Sequence, residues 1–384
     1  MILISILTKG MAMQRIMSLD VMRGLSICGI LFMNILGFHY LNVYYEPFIY
    51  YDNRISRWLY KLNEIFVFNS FYPIFAFLFG IGLAIMFRNT QSRNENTLWI
   101  MYRRIIAMLL FGALHGYLLF YGDIMNAYAV MALFVIPLLY LPNVISIIVA
   151  SILGIIGLLS YVATYFMTDS GGDFISGANE TVLYQAIQDG NIREIVHQNM
   201  MEFNASNALT FIGIISNVIT LLPFILLGVI LFRSGALSKI TAHRNISMIV
   251  AALATVIGLA IKYHGVKGQI TMTQSQIFLY YGGSMLSVGY FMFVTLMCEH
   301  PLLQKILKPF QNMGKLSFTL YIMQSMIMFI IFYICKGYDR IPIDFLYCLA
   351  GLIIIMQLLF SHFYLKRFKM GPLEFIWRKI TYLK

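Results

Sequence analysis

Residues 19–41, LDVMRGLSICGILFMNILGFHYL, decide the fold class. This is an unbroken 23-residue run with only two charged side chains, Asp20 and Arg23, both near its start. As a helix it measures about 35 Å, enough for a hydrocarbon layer of roughly 30 Å. Nine further apolar runs follow, bounded by charge clusters or turn residues: 65–87, 103–120, 124–141, 143–166, 207–232, 245–263, 276–297, 315–335 and 343–365. The sequence therefore predicts an all-α fold, a polytopic transmembrane bundle of about ten helices forming one domain over 1–384.

Composition agrees. The chain of 384 residues is 60% hydrophobic and 11% charged, where soluble domains carry about 25% charged residues. No room remains for a separate soluble catalytic domain. The formal charge of +11 raises the question of nucleic acid, but excess Lys and Arg in a polytopic protein reflects cytoplasmic loops beside anionic lipid. Nucleic acid is discounted as a partner and membrane lipid expected. Cys28, Cys298, Cys335 and Cys348 form no C-x-x-C pair or metal-site spacing and read as buried free thiols. The opening MILISILTKG reads as a loose lead-in rather than a secretory signal, with Met11 and Met13 as alternative starts.

Orientation follows from the basic residues of the connections and span ends, with Arg23 set aside inside its helix. If the N-terminus is cytoplasmic, 18 fall inside and eight outside, the eight being Arg54, Arg57, Lys61, Arg193, Lys262, Lys267, Lys336 and Arg340. Both termini are thus expected in the cytoplasm, with the chain in a bacterial cytoplasmic membrane. The long hydrophilic connection 168–206, carrying six acidic residues against Arg193, then becomes an extracytoplasmic loop, either a lid or a solvated segment.

Ionisable groups inside spans are costly unless they pair or border a wet cavity, so they make up the candidate sites. Asp20 and Arg23, three apart, can pair on one helix face. Asn34, 11 residues past Arg23, shares that face roughly 16 Å further along. Both a structural pair with an interhelical hydrogen bond and a functional site fit this spacing. The third span carries Arg103 and Arg104 at its inner end and His115 in its outer half, and the turn Tyr121-Gly122-Asp123 returns the chain at once. That hairpin puts His115 and Asp123 on one side of the membrane, where a carboxylate orienting an imidazole makes a general base. An interfacial histidine beside a turn aspartate is the alternative. Ser317, Tyr321 and Gln324 form a polar stripe on the ninth span, which serves equally for interhelical bonding or for lining a cavity. His39 closes the first span as a second candidate base, and His362 reads as interfacial. No phosphate-binding glycine loop, zinc-protease or serine-hydrolase motif is present, and no metal site is expected.

Several stretches resemble one family. Arg15-Ile16-Met17-Ser18-Leu19-Asp20-Val21-Met22-Arg23-Gly24 with Asn34-Ile35, and Phe71-Tyr72-Pro73-Ile74-Phe75-Ala76-Phe77-Leu78-Phe79-Gly80-Ile81-Gly82, are similar to the YeiB-like family of bacterial membrane proteins. So are Leu114-His115-Gly116 with Tyr121-Gly122-Asp123-Ile124, Gly314-Lys315-Leu316-Ser317 with Tyr321 and Gln324-Ser325, and Gly371-Pro372-Leu373-Glu374-Phe375-Ile376-Trp377-Arg378. The family is distantly similar to transmembrane acyltransferases, including heparan-alpha-glucosaminide N-acetyltransferase and the sugar O-acyltransferases. That resemblance implies transfer from a cytoplasmic acyl-CoA co-substrate to a hydroxyl or amine of an envelope glycan, lipid or small molecule. In the O-acyltransferases a first-helix arginine is followed, after ten intervening residues, by a catalytic histidine; Arg23 matches the arginine, but Asn34 stands at the histidine position. An amide is no base. On this reading His115, oriented by Asp123, replaces the histidine, with His39 second, while Asn34 polarises the thioester carbonyl and Arg23, Arg103 and Arg104 hold donor phosphates. A transporter using the same buried groups, and a non-enzymatic scaffold, are the competing classes.

Overall fold

The computed structural model describes residues 17–41, 53–167, 177–206, 209–267 and 270–383. The expected lead-in, including Arg15 of the first motif, lies outside them, as do Asp169 and Asp173 of the long connection. Among the described residues every regular element is helical: α1 Met17–His39, α2 Arg54–Phe66, α3 Phe71–Ser92, α4 Thr97–Leu118, α5 Met125–Leu139, α6 Asn143–Met167, α7 Glu180–Asp189, α8 Ile192–Ser206, α9 Phe211–Thr220, α10 Leu222–Arg233, α11 Ala236–Ala242, α12 Arg244–Val266, α13 Met272–Met297, α14 Pro301–Lys315, α15 Ser317–Phe329, α16 Ile343–Arg367 and α17 Pro372–Tyr382. A π-helical turn, Ile330–Ile334, continues α15. Eight of these stretches are long and apolar enough to cross a membrane, nine if the bent pair α9–α10 counts as one span.

The surface is that of a lipid-facing protein. Ile148, Ile152, Ile155 and Leu159 on α6, Ile246, Leu253 and Val256 on α12, and Ile355, Leu359 and Phe363 on α16 are all exposed. Water does not tolerate such stripes over whole helices, whereas lipid does. This is a multi-pass membrane protein.

At the centre stands α1, buried along both its halves. It crosses α14 where Gly24 meets the Phe310 carbonyl and Gly314 meets the Asp20 carbonyl, so that a Cβ at either glycine would overlap backbone. A reciprocal contact joins α3 to α10, with Gly80 against the Ile225 carbonyl and Gly228 against that of Phe77. Small residues permit such backbone approach in membranes, where dispersion and polar contacts rather than water drive helix association.

Several expected spans are corrected in their limits. The run 65–87 does not start a helix at 65. The amphipathic α2 ends at Phe66, Asn69 takes a left-handed φ of 54°, and α3 begins at Phe71 with Pro73 in its first turn, where a missing N–H costs nothing. The expected helix 207–232 is two, bent by 41°, because Pro223 starts a new helix and its ring excludes the continuing turn. The third span begins earlier, at Thr97, where the Asn96 side chain accepts from the Trp99 amide at 3.2 Å. With 15 residues, α5 is shorter than a full crossing. Helices α2, α7, α8, α14 and α17 lie in stretches read as connections. Of the four thiols only Cys298 is buried, while Cys335 and Cys348 are exposed, so the expectation of four buried thiols fails.

The start of α1 and all of α17 share one end of the bundle, since Arg23, Lys379 and Tyr382 border one cavity. The α7–α8 pair sits at the opposite end. Asn199 fixes it there: its Nδ2 donates to the Gly116 and Tyr117 carbonyls at 2.8 and 2.9 Å, and its Oδ1 accepts from the Tyr121 amide at 2.8 Å. The described part of 168–206 is therefore folded onto the bundle.

Candidate active site

The α4–α5 hairpin brings the His115 and Asp123 side chains into contact. His115, in the last turn of α4, has Nδ1 2.9 Å from Asp123 Oδ1. A carboxylate only accepts, so Nδ1 carries the proton and Nε2 is left as the basic nitrogen of the neutral ring. The second carboxylate oxygen accepts from the Asn126 amide at 2.8 Å, the first turn of α5. Both oxygens of Asp123 are thereby oriented. Gly112, one turn before His115, makes room: a Cβ there would come within 2.9 Å of Asp123 Oδ2 and of the Asn126 amide. Both side chains are sealed from the surface, at 1% exposure for His115 and 0% for Asp123.

The sequence reading missed a third member. Ser325 Oγ lies 2.8 Å from His115 Nε2 and is itself buried. The hydroxyl is the donor and the imidazole the acceptor in the tautomer Asp123 imposes. Tyr321, one turn earlier on α15, lays its ring 4.9 Å from the imidazole.

Ile124 and Tyr321, which adjoin these groups, line a cavity of about 790 Å³, whereas His115, Asp123 and Ser325 themselves are not among its lining residues. On α4 the wall is made by Arg104, Met108 and Phe111, and on α15 by Ser317, Phe318 and Tyr321. His115 and Ser325 are the next residues on these two stripes, four positions beyond Phe111 and Tyr321, one helical turn past the lining. Ile124, beside Asp123, completes the wall there.

The opposite stretch of the cavity is cationic. Arg23, Arg93, Arg104, Lys315, Arg378 and Lys379 line it, against Glu95 and Glu374. Glu374 is already committed, accepting from the Phe318 and Thr319 amides at 2.8 and 3.1 Å as the cap of α15. Arg104 stacks over Trp377 with Cζ 3.8 Å from the ring, and Trp377 Nε1 donates to the Arg104 carbonyl at 3.1 Å. Arg23 pairs with Asp20 at 3.0 Å while bordering the cavity. Such a chamber suits a ligand carrying several negative charges.

The remaining expected residues divide. Arg23 and Arg104 share the cavity, whereas Arg103, their expected companion, is not among the lining residues. Asn34 is half-buried on the stripe between Ile30, which packs in one core with Tyr128 and Tyr321, and Gly37, which faces Phe120 and Tyr121. That stripe looks toward the α4–α5 hairpin. His39 is not brought to the cavity: its ring packs 6.1 Å from Phe332, and its carbonyl accepts from the Asp339 amide at 3.1 Å. The polar stripe on α15 forks. Ser317 and Tyr321 face the cavity, but Gln324 turns away and donates to Gln357 Oε1 at 2.8 Å. Lys262, counted among the outer loops, is fully buried, and its Nζ donates to the Phe68 carbonyl and to Ser70 Oγ across the α2–α3 break. Among the described residues no group of three or more His, Cys, Asp or Glu side chains stands ready to ligate a metal.

Comparison with known proteins points the same way as the motifs. The chain is 27% identical to the uncharacterized protein YxaH of Bacillus subtilis over 391 residues, covering 96% of this chain and 95% of that one. It is 24% identical to the uncharacterized protein YeiB of Escherichia coli over 403 residues, covering 96% and 97%. This chain is thus similar to YeiB over nearly the whole length of both. An uncharacterized 39.9 kDa protein of Bacillus acidopullulyticus, from the amylase 3' region, is 26% identical over 398 residues, covering 96% and 94%. Residues 231–384 of this chain match the family described as "Protein of unknown function (DUF418)". No solved structure matches. The DUF418 match includes Ser325 and the Glu374–Trp377 corner, whereas His115 and Asp123 lie outside it, in the part covered by the full-length relatives.

Proposed function

We propose that this protein is a membrane-embedded acyltransferase. It takes an acyl group from a CoA-like thioester at the cytoplasmic surface and passes it to a hydroxyl or amine of an envelope glycan, lipid or small molecule at the other side of a bacterial cytoplasmic membrane. One observation carries this reading: an imidazole oriented by a buried carboxylate lies one helical turn beyond the Phe111 and Tyr321 wall of a cavity lined by six cationic side chains. The excess of basic residues around the cationic end supports a cytoplasmic placement for it, the side on which acyl-CoA is found.

Arg23 and Arg104, with Arg93, Lys315 and Arg378, bind the donor's phosphates by charge-assisted hydrogen bonds. Trp377 holds the Arg104 guanidinium flat against its ring. Arg103 has no part in this pocket. His115 Nε2 accepts a proton during attack on the thioester, and Asp123 stabilises the imidazolium that forms. Asn34 donates to the carbonyl oxygen as charge develops there. His39 has no role as a base, being packed in a separate apolar cluster.

The test is incubation of the purified protein in nanodiscs with radiolabelled acetyl-CoA and with longer acyl-CoAs. Saturable binding and slow CoA release, both weakened by excess free CoA, are the expected results. Absence of both binding and consumption across the series would refute the reading, and pH-driven substrate uptake in their place would favour a transporter.

A further inference from the structure

Ser325 is bonded to the basic nitrogen of His115 in the geometry of an activated nucleophile. The relay runs Asp123 Oδ1 to His115 Nδ1 at 2.9 Å, then His115 Nε2 to Ser325 Oγ at 2.8 Å, and all three side chains are buried. In the general logic of covalent catalysis, a nucleophile within hydrogen-bond reach of a base, itself held by a third group, is the diagnostic arrangement. Ser325 also follows Ser317 and Tyr321 on one helical stripe, one turn beyond the two of them that line the cavity. We infer that Ser325 is the covalent acyl carrier of this protein, so that transfer proceeds in two steps through an acyl-serine ester. The inference rests on the acyltransferase reading for the identity of the donor, but the nucleophile itself follows from the relay alone.

Ser325 Oγ attacks the thioester carbonyl carbon while His115 Nε2 takes the hydroxyl proton. The carbon–sulfur bond of the tetrahedral intermediate breaks, and the departing thiolate receives that proton from Nε2, leaving free thiol and an ester on Ser325. In the second half-reaction the acceptor hydroxyl or amine gives its proton to Nε2 as it attacks the ester carbon. The carbon–Oγ bond then breaks, and Oγ recovers the proton from His115. Asp123 stays ionised throughout and carries the imidazolium at each stage.

Such a carrier separates the two substrates in time. The donor's charged portion occupies the cationic end, and Arg104 lies 11 residues before His115 on the same helix, a rise of roughly 16 Å. The acyl group can thus be deposited deep in the bundle before the donor leaves and before the acceptor arrives.

The experiment uses the full chain in nanodiscs and two independent probes. A fluorophosphonate, which phosphonylates activated serines whatever their natural substrate, should label the wild type on the peptide containing Ser325, with labelling lost in Ser325→Ala and reduced at least 100-fold in His115→Ala. Acetyl-CoA without acceptor should release CoA in a burst of about one equivalent and leave an acetyl group on Ser325, found by peptide mass spectrometry. Ser325→Cys, which keeps a nucleophile of similar size, should retain the burst and trap a thioester. A Ser325→Ala protein that binds acetyl-CoA and transfers at the wild-type rate would overturn the carrier role while leaving the acyltransferase reading intact. Fluorophosphonate labelling of Ser325 with no response to any acyl-CoA would uphold the nucleophile and sink the donor assignment instead. Absence of labelling and of a burst, in protein that still binds acetyl-CoA, would also overturn the inference.

Discussion

Replacing Asp123 by Asn changes one atom and should remove the base. The carboxylate accepts two N–H bonds, from His115 Nδ1 at 2.9 Å and from the Asn126 amide at 2.8 Å. An Asn side chain offers one carbonyl oxygen and one amide nitrogen. The Asn126 amide is fixed in the first turn of α5 and cannot move, so the carbonyl turns to it and the new NH2 faces His115. The ring then accepts on Nδ1 and carries its proton on Nε2, the nitrogen that faces Ser325. It can no longer take a proton from any nucleophile. Loss of general-base action lowers kcat by about 10²- to 10⁴-fold, equivalent to about 2.7–5.4 kcal/mol in the barrier. The stability cost is smaller, about 1–3 kcal/mol, because each hydrogen-bond partner is retained in altered form. Single-turnover acyl transfer measures the first quantity, and thermal unfolding in detergent the second. Binding of acyl-CoA should be unchanged. A D123N protein whose kcat stays within twofold of wild type would show that the buried pair only holds the hairpin closed.

At the cationic end, Arg104→Ala should weaken acyl-CoA binding about tenfold in equilibrium dialysis, and Arg104→Lys should fail to restore it, since an ammonium cannot stack flat on Trp377 while bonding a phosphate. In the core, Gly314→Ala sets a Cβ against the Asp20 carbonyl, forcing α1 and α14 apart. We expect a loss of at least 1–3 kcal/mol, read as a lower melting temperature and poorer yield of monodisperse protein. Asn199→Ala removes the bonds that clip α8 to the end of α4, costing about 2–4 kcal/mol locally. Hydrogen exchange should rise across 180–206 and hardly at all in α1. In the connection before α16, burial raises the Asp339 carboxyl from 3.8 to about 6. The folded state then holds this proton more tightly than the unfolded one, so the contribution to stability is complete below pH 3.8 and lost as pH rises through about 6. Melting curves between pH 3.5 and 7 should show that component in the wild type and not in Asp339→Asn.

How much of this was legible in the sequence depends on how locally each feature is determined. The His115–Asp123 contact was readable because eight residues and one tight turn separate the partners, so the α4–α5 hairpin leaves them little choice. The Asp20–Arg23 pair was readable for the same reason, being one helical turn wide. Ser325 was not, because it lies 210 residues from His115 and no helical period indicates which of two adjacent polar residues, Gln324 or Ser325, turns toward the site. Spacing of four from Ser317 and Tyr321 was the available signal, and Gln324 at spacing three obscured it. Helices α14 and α17 escaped a search for apolar runs because their charged faces border the cavity and the membrane surface. Yet Lys315 and Trp377, which they carry or adjoin, shape the cationic end. Lys262 reads as a span-end cation in any count of basic residues. Its burial depends on the broken α2–α3 junction, whose Phe68 carbonyl and Ser70 hydroxyl it satisfies, and that break is marked in the sequence only by Asn69 and Pro73.

The placement of the relay within the bundle constrains how two substrates could meet there. His115 stands near the α7–α8 end of α4, one residue before the Gly116 carbonyl that Asn199 binds, while Arg104 stands toward the other. The cationic chamber and the α7–α8 segment thus touch the same helix about three turns apart. On the proposed acyl transfer, a donor held by its phosphates in the chamber would bring only its thin acyl-bearing arm along α4 and α15. On the same proposal an acceptor at the far surface would come past the end of α4, where Gly116 leaves space that Phe203 of α8 fills. If acyl transfer is the activity, displacement of α8 would admit the acceptor and should be separable from donor chemistry. Phe203→Ala, which empties that contact without touching the relay, should leave the donor half-reaction at its wild-type rate while changing the acceptor concentration needed for half-maximal turnover. Equal effects on both half-reactions would mean that α8 supports the geometry of the relay and does not control access.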